Sequence, residues 1–303
     1  MDATLTIAVT GASGLIGSAL VERLMADGHT VRRLVRREAR PGEVHWNPAD
    51  GTIDAAALEG VDAVVHLAGA GIGDHRWTDD YKAEIRTSRT KGTELVAKTL
   101  AGLDRRPAVL LSGSAIGFYG ASETQTFDET SPAGSGFLAD VCREWEAATA
   151  PAEEAGIRVA HLRTGIVLSP RGGALAKQLP LYRFGLGGKM GSGRQWQSWI
   201  SLDDEVGAIV HLLTAEVHGP VNLTAPNPVT QREFSQTLAR VLKRPAFLPV
   251  PSFGPRLLLG RELAENLLFT GQRVEPTVLP ASGYRFQHPE LEGALRALLG
   301  RPA

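Results

Sequence analysis

Apolar and polar positions along the first half of the chain fall into alternating blocks. Residues 5–10 are a short apolar run that reads as a strand. Residues 15–27 place Leu15, Ala19, Leu20 and Leu24 near one helical face, and Gly28 ends the pattern. Strand-like runs return at residues 30–35, 44–47, 62–68, 108–112 and 158–163, and helical patterns at 78–101 and 138–155. The run DAVVHLA at 62–68 is apolar without alternation, as a strand covered on both faces should be. This order predicts βαβ units and a mainly parallel, doubly wound sheet of α/β class.

The pattern changes after Ser169. Gly172, Gly173, Gly185, Gly187, Gly188, Gly191 and Gly193 punctuate a stretch expected to be loop-rich. A helix is expected again at 201–213 and a strand at 221–223. Helices follow at 231–242, 261–269 and 289–299, with prolines 245, 249, 251 and 255 between the first two. The resumption at 201–223 predicts a discontinuous arrangement. Residues 1–168 with 199–223 would form a Rossmann domain, and residues 169–198 with 224–303 a smaller α+β lobe for substrate.

The strongest local signal is the turn between the first strand and first helix, TGASGLIG. Gly11 and Gly14 allow a tight turn and close backbone approach to a pyrophosphate, and Gly17 lets the helix pack against the sheet. The amides of Ser13, Gly14, Leu15, Ile16 and Gly17 then open toward an anion at the helix N-terminus. The second strand ends in Arg36 and Arg37, where an NAD site would carry an acid for the ribose hydroxyls. Guanidinium groups there suit a 2′-phosphate, so the predicted cofactor is NADP(H).

Composition narrows the alternatives. The net charge of -1 supplies no overall field for nucleic acid or an anionic membrane. One cysteine, Cys142, excludes an intrachain disulfide and a cysteine-rich zinc site, and no histidine or carboxylate spacing suggests another metal. No apolar run approaches a membrane span, and no signal peptide precedes the first strand, so a cytoplasmic protein acting on a small molecule is expected.

Taken together, these residues resemble an extended short-chain dehydrogenase/reductase. Beyond the glycine turn, Asp62 resembles that family's adenine-side aspartate, and Leu67, Ala68 and Gly69 its following strand end. The stretch from Ser112 through Ser114 to Tyr119 and Gly120 resembles its serine strand and turn, 163–168 the strand over the nicotinamide, and 199–204 a late conserved segment. Further matches at 76–78, 85–89, 137–146, 187–195, 222–226 and 271–276 are similar to one subgroup, the "epimerase family proteins", with a C-terminal domain of unknown function.

The resemblance implies hydride chemistry on a carbonyl or alcohol, but the Tyr–Lys pair that drives it is missing. The equivalent helix offers either Phe137 with Val141 or Leu138 with Cys142, and neither pair has a phenol or ammonium. Ser114 matches the family's serine. Tyr119 is the available replacement acid, although tyrosines in turns also serve as packed aromatics. Arg89 stands where the family has an asparagine, with Glu84 and Arg86 one turn earlier, and is expected beside the nicotinamide. Glu146 reads as a surface or ribose-side carboxylate, His66 as a hydrogen-bonded core histidine and Cys142 as a small hydrophobe. Trp196 and Trp199 are expected to flank a mobile glycine-rich wall over the cleft. The functional expectation is an NADP(H)-dependent oxidoreductase or epimerase; the alternative is a non-catalytic NADP(H)-binding sensor or scaffold.

Overall fold

The computed structural model describes residues 4–245 and 253–302. Its frame is an eight-stranded sheet in the order β12-β8-β6-β5-β1-β2-β3-β4. The strands are β1 (Thr6–Thr10), β2 (Thr30–Val35), β3 (Glu43–Asn47), β4 (Thr52–Ile53), β5 (Ala63–His66), β6 (Val109–Ala115), β8 (Arg158–Thr164) and β12 (Gly219–Leu223). All neighbours pair in parallel except β3 and β4. Order reverses between β1 and β5, the point at which a doubly wound sheet opens a ligand crevice.

Side-chain alternation sorts each central strand between two cores. Ile7, Val9, Val65 and Leu111 face one core with Leu20 and Leu24 of α1 (Leu15–Ala26) and Ile209 and Leu212 of α6 (Leu202–Thr214). Ala8, Val64 and Leu110 face the other, with Val96 and Leu100 of α2 (Asp79–Ala101). Apolar burial on both faces is why these strands read as continuous hydrophobic runs.

The helix expected at 138–155 is two helices, α3 (Phe137–Ala147) and α4 (Ala150–Glu154). Pro151 lacks the N–H that a continuous helix would need, and the Thr149 hydroxyl bonds the Glu146 carbonyl at the break. The stretch expected to be loop-rich contains α5 (Gly173–Arg183). Its Leu175, Leu179 and Tyr182 are buried with the lobe core, which outweighs the internal Pro180. Residues 265–269 form a π-helical turn after α9 (Arg261–Ala264), not a continuation of one α-helix. Of the proline-marked segment, Pro249 and Pro251 lie outside the described residues.

Smaller elements build the lobe: β7 (Thr126–Phe127) pairs β14 (Arg273–Val274), β9 (Ile166–Leu168) pairs β11 (Trp199–Ser201), and β10 (Trp196–Gln197) pairs β13 (Val229–Thr230). The helices α7 (Gln231–Leu242) and α11 (Leu291–Leu298) pack with α5 around Trp199; α8 (Phe253–Leu259) precedes α9, and α10 is Val278–Ala281. β12 completes the main sheet, and α6 packs on α1. Residues 278–286, expected in the lobe, instead contribute Val278, Leu279, Tyr284 and Phe286 to the core beneath α6. Asp204 holds them there, accepting from Tyr284 Oη, Gln287 N and His288 N.

Glu205 of α6 is fully buried. It accepts from Thr164 Oγ1 at 2.8 Å, and its other oxygen has no partner among the described residues. Burial pushes its carboxyl up to about 8. The folded protein therefore holds this proton where the unfolded chain has lost it. That contribution is complete below pH 4.5 and is lost as pH rises through about 8. Urea unfolding midpoints should fall for wild type between these values relative to Glu205→Gln; parallel profiles would contradict this.

Candidate functional site

The site is assembled at the C-terminal edge of the sheet. Gly11 has φ +65°, and a Cβ there would lie 2.8 Å from the Leu67 carbonyl atoms. A Cβ on Gly17 would stand 2.2 Å from Gly11 O. The turn closes with Gly14 N donating to Gly11 O at 2.9 Å. Gly14 caps α1 without a side-chain bond, and the first turn has no acid. The amides at Leu15, Ile16 and Gly17 have no acceptor within the helix and carry its positive end.

Thr10 fixes the opposite wall. Its hydroxyl oxygen accepts from Leu67 N at 3.0 Å and Ala68 N at 3.1 Å and meets His66 Nδ1 at 2.8 Å. With both acceptor positions used, its proton goes to Nδ1, so His66 is neutral with hydrogen on Nε2. Burial lowers its pKa to about 4. His66 is thus the hydrogen-bonded core histidine the sequence implies.

Between these walls lies a groove of about 860 Å³, ample for an extended small molecule. The expected Ser13, Leu67, Ala68, Gly69 and Glu84 line it. An uncapped helix N-terminus beside a cradle that side chains would fill fits a dinucleotide's pyrophosphate. At the end of β2 the groove is bordered by Arg36 and Arg37, and also by Arg33, which the sequence reading missed because it lies inside the strand pattern. Arg37 is bound to Glu43 through two bonds of 2.7 and 2.6 Å. Hydrogen bonding from Arg37, then from Arg40 N, draws the Glu43 carboxyl down to about 2. The two expected arginines are therefore not equivalent: Arg37 already has a carboxylate partner.

Arg89 lies behind the groove wall. It donates to Ala70 O at 3.0 Å and Ile85 O at 3.1 Å, and its guanidinium is 5.0 Å from the Trp145 ring centroid. Burial lowers its pKa. Leu138 and Cys142 of α3 face the turn after β6: a Cβ on Gly117 would lie 3.4 Å from Leu138 Cβ and 3.8 Å from Cys142 Sγ. Burial pushes the thiol up to about 12, so it is no thiolate at neutral pH.

Ser114 and Tyr119 do come together, around a buried ion pair. Ser114 Oγ donates to Glu146 Oε1 at 2.6 Å. Arg163 grips the same carboxylate through Nε and Nη2, each at 2.8 Å, and donates from Nη1 to the Tyr119 hydroxyl at 3.0 Å. Tyr119 donates to Asn222 Oδ1 at 2.7 Å, stacks on Phe127 and is 2% exposed. Its hydroxyl is committed to this network, as the packed-aromatic alternative implies, and is not free in the cleft as a replacement acid would be. Glu146 is not a surface group but the anion of the pair, its side chain 11% exposed. Arg163 and Asn222 begin the matched segments 163–168 and 222–226, but their place in this network comes only from the pairing of β6, β8 and β12, which brings them beside Tyr119.

Two further expectations change. Asp62 precedes β5 and accepts from Thr6 N at 2.6 Å, at the N-terminal edge of the sheet and away from the groove. Trp199 is fully buried in the lobe core with Nε1 donating to Asn227 O, so it cannot stack on a ligand. Trp196 is occupied by Arg273 at 4.9 Å. Among the described residues, no cluster of histidine, cysteine or carboxylates could hold a metal.

This sheet, turn and groove define a Rossmann-type dinucleotide-binding protein. Residues 7–224 match the model of the NAD dependent epimerase/dehydratase family, and residues 250–298 match a domain of unknown function, DUF1731. The chain belongs to that family, in the branch of epimerase family proteins that joins the two parts. An epimerase family protein of Mycobacterium bovis is 45% identical over 302 residues, covering 99% of each chain. The crystal structure of human epimerase family protein SDR39U1 with NADPH superposes with a TM-score of 0.90 at 36% identity, covering 98% of this chain and 99% of the human one. A nucleoside-diphosphate sugar epimerase from Corynebacterium glutamicum gives 0.80 at 37% identity, covering 98% of this chain and 59% of that chain.

Gly17→Ala tests the backbone contact beneath the site. The methyl has no room against Gly11 O, so the turn must move. An unfolding free energy lower by about 1–3 kcal/mol or more is expected. An unchanged denaturant midpoint would show that the contact carries no weight.

Proposed function

We propose that the chain is an NADP(H)-dependent oxidoreductase or epimerase acting on a small-molecule carbonyl or alcohol. The observation that carries this reading is the set Arg33, Arg36 and Arg37 at the end of β2, opening on the same groove as the glycine turn. The human relative crystallised with NADPH supports it. In this assignment the α1 amides at Leu15, Ile16 and Gly17 bind the pyrophosphate. Arg33 and Arg36 meet the 2′-phosphate, while Glu43 holds Arg37 at the rim. When bound, the nicotinamide supplies or takes up the hydride.

The chain's own residues must then manage the proton. Ser114 polarises the substrate oxygen after exchanging its bond to Glu146, and Arg163 holds that carboxylate in place. Tyr119 acts through Arg163 as a positioning residue. Arg89 presents fixed positive charge behind Gly69 and Ala70, favouring an anionic substrate group or the reduced cofactor. The groove is also lined by His75 and by Tyr81, whose hydroxyl donates to Gly71 O. A second reading, an NADP(H)-binding sensor without turnover, draws on one specific observation: the hydroxyls of Ser114 and Tyr119 are both engaged inside the protein. NADPH oxidation with a panel of aldehydes and ketones separates the two. Turnover that drops at least about tenfold in Ser114→Ala supports the enzyme. Tight binding with no turnover on any compound supports the sensor.

Cofactor choice gives a quantitative expectation. NADPH should bind at least about tenfold tighter than NADH, the effect of one charge-assisted contact. Arg33→Ala or Arg36→Ala should erode that preference more than Arg37→Ala, because Arg37 is already paired. Equal affinities for the two cofactors by titration calorimetry would defeat the assignment.

A further inference from the structure

Seven large apolar side chains are highly exposed among the described residues, and six of them fall on two segments of the lobe. Leu181, Phe184 and Leu186 end α5 and begin the loop after it. Phe253, Leu257 and Leu258 lie on α8, which has no buried residue. Phe184 is 81% exposed, Leu257 76% and Leu258 73%. Isolated exposed leucines are ordinary; a concentration of this kind marks a surface that meets something.

The two segments are linked through shared neighbours. A Cβ on Gly185 would lie 3.3 Å from Pro245, and one on Gly191 would lie 3.0 Å from Phe269. The same Phe269 ring lies 5.2 Å below Arg256 of α8. The loop before α2 joins them from the other side. Arg76 donates to the carbonyls of Leu257 and Leu258, and Gly73 O accepts from Lys177 of α5.

Charge decides what this surface suits. The near-neutral total conceals a division. Residues 169–198 and 224–303 carry fifteen Lys and Arg against six Asp and Glu, and the remainder carries seventeen against twenty-seven. Residues 169–198 contain no acid at all. Arg183 at the end of α5, Lys243 and Arg244 just after α7 and Arg261 at the start of α9 are exposed and form no ion pair among the described residues. Of the acids beside these segments, Glu262 pairs with Lys82 and Glu265 with Arg256, while Asp74 is exposed and forms no ion pair among the described residues.

We propose that this face of the lobe docks on an anionic lipid surface. Phe184, Leu186, Phe253, Leu257 and Leu258 enter the headgroup boundary, and Arg183, Lys243, Arg244 and Arg261 meet the lipid phosphates. Aromatic and leucine side chains ringed by basic ones are the composition that binds the plane of a bilayer without crossing it. No helix among the described residues is long and apolar enough to span a membrane, so the association is peripheral. An oppositely charged sheet domain keeps the molecule oriented, with the lobe toward the lipid.

Vesicle flotation of the full chain tests this. Vesicles of equal parts phosphatidylglycerol and phosphatidylcholine should carry the protein at low salt, and pure phosphatidylcholine vesicles should not. Raising salt should release it, since the basic contacts are screened. Combined Arg183→Glu, Lys243→Glu and Arg244→Glu should lower partitioning at least about tenfold. Combined Phe253→Ser, Leu257→Ser and Leu258→Ser should do the same with thermal unfolding and NADPH binding unchanged. No binding of wild type to phosphatidylglycerol vesicles overturns the proposal. So does binding that the charge and apolar variants retain. A wild-type dimer that the serine variant converts to monomer, without vesicle binding by wild type, would make the face an interface between copies and overturn it equally.

Discussion

The cleft depends on the meeting of three backbone segments at Gly11. The turn after β1 touches the end of β5 at Leu67 on one side and the first turn of α1 at Gly17 on the other, at separations that exclude any side chain. The Thr10 hydroxyl locks the same junction by bridging Leu67 N, Ala68 N and His66 Nδ1. Because its one proton is given to His66, the histidine is held neutral in a fully buried position. Groove floor, helix N-terminus and histidine tautomer are thus set by one small polar group and two glycines.

Buried carboxylates do comparable work where the lobe meets the sheet. Glu129 accepts from Asn222 N, Thr277 N and Oγ1, and Val278 N, so the edge strand β12 is capped by the segment that leads into α10. Asp204 ties residues 284–288 to α6. Glu146 and Arg163 occupy the region below Ser114, with the guanidinium 3.5 Å from the Phe118 ring centroid. Each ion or acid is satisfied by several donors, as burial of charge requires. The lobe is therefore joined to the cofactor domain by specific polar contacts as well as apolar packing. Sequence reading could not go this far: Glu146 looks like a surface or ribose-side carboxylate, and Tyr119 like either a free acid or a packed aromatic, until their partners are seen.

The position of the basic, apolar face adds a second asymmetry to the molecule. The groove opens at the sheet edge, and the loop at residues 69–77 borders both the groove and the segments that carry the face. A surface contact at the lobe would thus lie beside the loop that lines the groove, so docking and access to the site share a structural element.

Local sequence determined the parts whose physics is local. The glycine turn, the covered strands, the helix beginning at Gln231 and the basic end of β2 follow from glycine conformation, hydrophobic period and charge, all readable within a few residues. A resemblance spanning the chain supplied the family. Tertiary structure alone decided which charges are free. Arg36 and Arg37 are adjacent and look alike, yet Arg37 is paired because β3 places Glu43 beside it. Asp62 matched a family landmark but lies at the wrong edge of the sheet, and Trp199 looked like a cleft aromatic but fills the lobe core. Arg163 and Asn222 entered the site through the pairing of β8 with β6 and β12, strands far apart in sequence. A side chain's partner depends on such long-range register, which no local pattern encodes.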